Sequence, residues 1–207
     1  MAKRPRTAPR KKPKQERSQA TVDAILQATA RVLCATGYDR ASTNRIALAA
    51  GVSVGSLYQY FPSKEALVAA LVERHVDEMT SLVKTKLAEV FDAPLASAVE
   101  TIIGAMFAAH AVDPRLHQVL IEQVPRVGRL EKLRGVEGEV QALVAAFLAA
   151  RPELCRAPVE TMAFVLVHAV EAVTHAAVVG GVDTEHARVA ARELTKMVLR
   201  YLRVESP

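Results

Sequence analysis

Three stretches of the chain carry residues whose types and spacing could do chemistry. Gly51-Val52-Ser53-Val54-Gly55 satisfies G-x-S-x-G, the spacing of a nucleophile elbow, where a serine on a strained turn between strand and helix attacks an ester carbonyl. That chemistry needs a strand before the turn. Here the preceding residues, Arg45 to Ala50, are alanine-rich and helical in pattern, and no alternating strand and helix pattern surrounds them, so nucleophilic catalysis is disfavoured and no catalytic residue is assigned. His168, Glu171 and His175 fall at i, i+3 and i+7 and share one helix face. Such a face can hold a metal. With no fourth ligand identifiable, buried, hydrogen-bonded histidines are the preferred reading, and neither a metal site nor a cofactor is expected. The third stretch is electrostatic. Residues 1 to 17 hold Lys3, Arg4, Arg6, Arg10, Lys11, Lys12, Lys14 and Arg17 against Glu16 alone. This gives a local net charge of +7, which leaves the rest of a +5 chain at −2.

The basicity therefore belongs to an arm, and the body is slightly acidic. A Pro- and Lys-rich arm without apolar periodicity is expected to be disordered when free. It is either a solubilising tail or an arm that follows a DNA backbone by releasing counterions, without reading sequence. No apolar segment follows the basic run, so a secretion signal is not expected. The longest uninterrupted apolar run, Ala142 to Ala150, is too short to span a bilayer. Cys34 and Cys155 show no ligand-like spacing and fit free thiols in a reducing cytoplasm.

The elements that must position these groups read as helices throughout. Val22, Ile25, Leu26, Thr29, Val32 and Leu33 step by three and four residues, which predicts an amphipathic helix from Ser18 that ends near Gly37. A second helix, Asn44 to Ala50, carries the apolar residues Ile46, Leu48, Ala49 and Ala50, with Ser42 or Thr43 as its cap. Gly51 sits where a helix end needs positive φ. Ser53 can cap a third helix, worth about 1 kcal/mol, and Pro62 stops it after about eight residues. So short a helix must pack on its neighbours. Two short helices joined by a glycine-containing turn form a helix-turn-helix, whose second helix enters the major groove with its N-terminal residues at base edges.

The run from Gly51 to Leu67, with Gly37-Tyr38, Thr43, Ile46-Ala47, Leu57-Tyr58, Tyr60-Phe61 and Lys64 at matching spacing, resembles the N-terminal signature of the TetR, or tetracycline-repressor-like, family of transcriptional regulators. The resemblance covers Ser18 to about Leu71. It implies that Thr43, Ser56, Tyr58 and Lys64 bind phosphates, which suits hydroxyls and a long cation. It places Asn44, Ser53, Val54, Gly55, Gln59 and Tyr60 toward base edges, where Asn or Gln can bond adenine and Val54 can touch a thymine methyl. Arg45 serves either a phosphate or a guanine. Ile46, Ala50, Val52, Leu57 and Phe61 become the core of the pair. Val54 departs from the family, where Lys or Arg is frequent at this position, which shifts affinity toward the arm.

Beyond this stretch the pattern predicts helices from Ser63 to about Val90, from Pro94 to Val112, and from Asp113-Pro114 to the segment Val124 to Gly128. Three more follow: Leu130 to Ala150, weakened by Gly135 and Gly138, then Pro158 to Val179 and Asp183 to Val204. The Pro158 to Val179 helix is apolar almost all round and must be covered on most sides. By the resemblance, the last two helices pair with their two-fold copies, with Phe164, His168, Glu171, His175, Leu194, Met197 and Tyr201 at the interface. A two-fold dimer sets two reading helices roughly 34 Å apart and implies a palindromic operator. Ile103, Met106, Phe107, Leu120, Phe147 and Met162 are either a filled core or the lining of an effector pocket with His110, His117 or Gln118 as polar handles.

The expectation is an all-α chain of about nine helices. Residues 1–17 form the arm, 18–64 a three-helix helix-turn-helix domain, and 65–207 a helical ligand-binding and dimerisation domain. The implied function is a cytoplasmic, dimeric, DNA-binding regulator without enzymatic activity: a repressor bound to double-stranded DNA, released by a small apolar effector and independent of any membrane. An architectural DNA-binding protein without a ligand switch and a metal-responsive regulator are the alternatives.

Overall fold

The computed structural model describes residues 16–127, 130–151, 154, 157–179 and 184–202. The basic arm lies outside this set apart from Glu16 and Arg17, which already belong to the first helix. Among the described residues there are nine α-helices: α1 (Glu16–Arg40), α2 (Thr43–Ala50), α3 (Val54–Tyr60), α4 (Lys64–Glu89), α5 (Leu95–Ala111), α6 (Pro114–Val127), α7 (Leu130–Ala149), α8 (Val159–Val179) and α9 (Thr184–Leu202).

Local chemistry sets most of the boundaries. Helical φ/ψ values break at Gly37, whose φ of 72° turns α1 before its last residues. Gly51 has φ 68°, and its N–H bonds back to the α2 carbonyls; this left-handed exit is the one a glycine makes without steric cost. Ser42, rather than Thr43, caps α2 by accepting from the Arg45 N–H. Ser53 caps α3 by accepting from the Ser56 N–H. α3 is seven residues long and ends at Phe61, which is extended, as a residue before proline prefers.

Packing groups the chain into two units, one of residues 1–76 and 115–132 and the other of residues 77–114 and 133–207. The division runs through α4. It also assigns most of α6 to the first unit. In the first unit α1 packs on α2 and α2 on α3, around Ile25, Leu33, Ile46, Leu57, Phe61, Leu67 and Leu71, all buried. Of the expected seam residues, Ala50 and Val52 are only half-buried. Leu48, apolar but not among the expected seam residues, is 83% exposed. On an eight-residue helix with Ile46 and Ala47 turned inward, position 48 falls on the opposite side.

In the second unit α5, α8 and α9 pack on one another, with Val99, Ile103, Phe107, Met162, Leu166, Leu194, Val198 and Leu202 at their centre. A separate cluster joins Leu87, Val90, Ala98 and Phe147. Arg151 closes it, its guanidinium 3.9 Å over the Phe147 ring and bonded to the carbonyls of Phe91 and Ala93. α8 corrects one expectation. Residues Val159–Val178 are long and apolar enough to cross a membrane by length and composition, with a mean hydropathy of 1.5, a stretch that counting uninterrupted apolar residues overlooks. Within the chain α8 leaves apolar side chains open, with Phe164 52% and Val165 41% exposed.

Candidate nucleic-acid interface

The seven residues of α3 hold one fully buried side chain, Leu57, and the other positions are left to face outward. Tyr58, Gln59, Ser53 and Gly55 are exposed, whereas Val54, Ser56 and Tyr60 are half-buried. On α2, Asn44 and Arg45 are exposed and Thr43 is half-buried. The Thr43 and Tyr58 hydroxyls lie 3.0 Å apart in a hydrogen bond, so two residues expected to hold phosphates, fifteen positions apart, form one polar point across the α2–α3 pair. A hydroxyl both donates and accepts, and either can turn to a phosphate oxygen while keeping the other.

Ser53 caps α3 and remains exposed. Its Oγ accepts from the Ser56 N–H at 3.0 Å and lies 2.8 Å from the Ser56 Oγ, an arrangement that caps a helix. The element before it is α2, a helix, and a nucleophile elbow needs a strand there. Arg45 donates to the Arg40 carbonyl at 3.4 Å, while Arg31 on α1 donates to the Ala49 carbonyl at 2.9 Å and so satisfies the C-terminal end of α2.

Lys64 is held more tightly than a mobile phosphate clamp. Its Nζ donates to the Tyr38 carbonyl at 2.8 Å and lies 4.0 Å from the Tyr38 ring centroid. The Tyr38 hydroxyl in turn donates to Glu65 Oε1 at 3.1 Å. Burial acts to raise the Glu65 pKa. Hydrogen bonds from its own backbone N–H, Ser63 and Tyr38, with the Lys64 charge, more than offset this and leave the carboxyl below its ordinary value. An ammonium has three N–H donors, so the Tyr38 carbonyl fixes the direction of Lys64 without using up its capacity for a phosphate. Sequence reading missed this role of Tyr38 and Glu65; the adjacency of Gly37-Tyr38 to a positive-φ turn is the local signal that points to it.

The remaining site residues do not gather as one set. His117 and Leu120 are buried in the first unit, where His117 Nδ1 lies 2.6 Å from His75 Nε2 on α4. Ile103, Phe107 and Met162 share the α5–α8–α9 core, whereas Phe147 belongs to the other cluster. Met106 is half-buried, and its carbonyl accepts from His110 at 2.7 Å. Gln118 is exposed. Of the expected pairing residues, Phe164, Met197 and Tyr201 present exposed apolar surface, joined by Val165 and Val189, but Leu194 is 3% exposed and packs into its own unit's core. Glu171 is exposed, and His168 and His175 are half-buried. His168 donates to the Phe164 carbonyl at 2.8 Å and stacks on that ring, and His175 meets His110, with centroids 5.0 Å apart. Hence His168, Glu171 and His175 are not drawn together as a ligand set.

Comparison with known proteins places both halves. Residues 25–71 match the family model described as "Bacterial regulatory proteins, tetR family", and residues 94–202 match "Tetracyclin repressor-like, C-terminal domain". The nucleoid occlusion factor SlmA of Haemophilus ducreyi is 38% identical over 73 residues, covering 35% of this chain and 35% of that protein. Thus the match spans about a third of that relative's length. An uncharacterized HTH-type transcriptional regulator of Mycobacterium tuberculosis is 28% identical over 169 residues, 81% of this chain and 86% of that one. A TetR-family transcriptional regulator from Mesorhizobium loti has the same fold, with a TM-score of 0.75 at 20% identity, over 91% of this chain and 98% of the other. So does the fatty acid degradation regulator FadR from Bacillus halodurans, at 0.71 and 20%, over 93% and 99%.

Proposed function

Because the chain belongs to the TetR family of bacterial regulatory proteins, and so is a DNA-binding transcriptional regulator, we propose that it acts as a dimeric cytoplasmic repressor of a palindromic operator, released by a small apolar effector. The observation that carries the DNA half is the division of faces on α2 and α3. Ile46 and Leu57 are fully buried while Asn44, Arg45, Tyr58 and Gln59 face out, so packing fixes a reading edge without consuming it. Thr43, Ser56, Tyr58 and Lys64 position the backbone; Asn44, Ser53, Val54, Gly55, Gln59 and Tyr60 face bases, with Arg45 at the border. The arm adds sequence-blind affinity.

The dimer reading rests on the apolar surface that α8 and α9 leave exposed at Phe164, Val165, Val189, Met197 and Tyr201. Large apolar patches on a monomer mark interaction sites, and a two-fold copy presents the same residues to cover them. The effector reading rests on the apolar α5–α8–α9 core around Ile103, Phe107 and Met162, with His110 as its buried polar group. A ligand that binds one spacing of the reading helices better shifts the dimer toward it, with a coupling of about 1–3 kcal/mol.

Selection of bound sequences from random DNA, followed by footprinting, tests the reading. The expected result is one palindrome protected by a dimer. Length-dependent, sequence-blind binding would instead support an architectural protein and overturn it. Release of the selected palindrome by an apolar compound then tests the switch.

A further inference from the structure

The C-terminal unit holds a histidine pair that DNA binding does not use. His110 on α5 and His175 on α8 are far apart in the chain, yet their ring centroids lie 5.0 Å apart with 53° between the planes. Their ligand nitrogens come within 4.8 Å of each other. Two imidazoles on one tetrahedral ion, at metal–nitrogen distances of about 2.0–2.1 Å, place their ring centroids about 5 Å apart. The observed centroid spacing is compatible with a shared ion.

The tautomer of His110 suits the same role. A carbonyl oxygen only accepts, so the 2.7 Å contact with the Met106 carbonyl assigns the His110 proton to Nδ1 and makes Nε2 the lone-pair nitrogen of the neutral ring. A backbone carbonyl behind one nitrogen is the outer contact that orients metal-binding histidines through the other. The neutral imidazole is the form that ligates.

We propose that His110 and His175 form a two-histidine site for a borderline divalent cation of the Zn2+, Co2+ or Ni2+ type, joining α5 to α8, with water completing the coordination. Imidazole nitrogen selects such ions over Mg2+ and Ca2+, which prefer oxygen. The site shares His110 with the proposed effector core and rests on that reading only for a regulatory meaning. Ion binding is read on the free protein. Failure of effector release therefore leaves the site standing, and failure of ion uptake leaves operator binding standing.

The test is titration of chelator-treated full-length protein with Co2+, followed by Zn2+ displacement, using visible absorption and calorimetry. One ion per chain with the absorption of tetrahedral Co2+ is expected, weakened at least about tenfold in His110→Ala and His175→Ala and unchanged in His186→Ala, whose side chain is exposed on α9. Unfolding in chelator checks that the variants fold. Should the alanine variants fail to fold, His175→Gln and the Zn2+-induced shift of the His110 Nε2 resonance in the parent protein decide the matter. No Co2+ uptake, or uptake as tight in both histidine variants as in the parent, overturns the proposal.

Discussion

Two leucines in the same helix-turn-helix should respond to alanine in opposite ways. Leu57 is 0% exposed and Leu48 is 83% exposed, although both sit in short apolar-rich helices. Leu57 is the buried side chain of the seven-residue α3, which at that length has no stability of its own. Leu57→Ala removes burial and leaves a cavity, a cost of about 2–5 kcal/mol. In a chain of this size that corresponds to roughly 2–4 °C in Tm per kcal/mol, so a drop on the order of 10 °C is expected. Leu48→Ala should stay within about 0.5 kcal/mol of the parent. Thermal unfolding of both variants, with amide exchange across Val54 to Tyr60, measures the contrast. The Leu57 variant should also lose operator affinity, because the reading edge is held in place only by what α3 buries. Equal Tm shifts for the two leucines, or a Leu57→Ala cost below about 1 kcal/mol, would refute the assignment of the α3 buried face.

Other outcomes follow from the same geometry. Gly51→Ala meets no atom within 4 Å of the added methyl, but the residue sits at φ +68°, so the cost should be the left-handed penalty alone, about 1–2 kcal/mol, measured by urea denaturation. Lys64→Ala or Tyr58→Ala should weaken all DNA alike, and Lys64→Ala, which removes a charge, should also flatten the log–log salt dependence by about 0.9, whereas Asn44→Ala or Gln59→Ala should cost about 1–3 kcal/mol only on the matched operator; binding to matched and scrambled sites at several salt concentrations separates them. Glu65 has a folded-state pKa below its ordinary 4.5, so the stability it contributes is present above 4.5 and is lost as pH falls through the lower folded value. Glu65→Gln should therefore be less stable than the parent at neutral pH and converge with it in acid, as read by denaturation at a series of pH values.

Much of the architecture was legible because its signals are local. Gly51, Ser53, Pro62, Pro94 and Pro114 act on their own backbone or on groups a few residues away, and α2, α3, α5 and α6 begin or end close to where those residues put them. The outward set on α2 and α3 was legible for the same reason: once Ile46 and Leu57 point inward, helix geometry sends Asn44 and Gln59 the other way. Partner choice was not legible. The cap of α2 fell to Ser42, and a local pattern could not choose between it and Thr43. Leu194 turned into its own core, whereas Met197 and Tyr201 stayed exposed, because the direction of the amphipathic stripe of α9 depends on where α5 and α8 lie.

The chain by itself determined its helices, its helix-turn-helix and the residue types that α2 and α3 expose, since dihedral preference, capping and periodicity are properties of neighbours in sequence. Tertiary structure alone decided that Lys64 points along the Tyr38 carbonyl, that Thr43 meets Tyr58 across two helices, and that His110 faces His175. Each of those contacts joins residues whose separation along the chain carries no information about their distance in space, and only the packing of one helix against another brings them within reach.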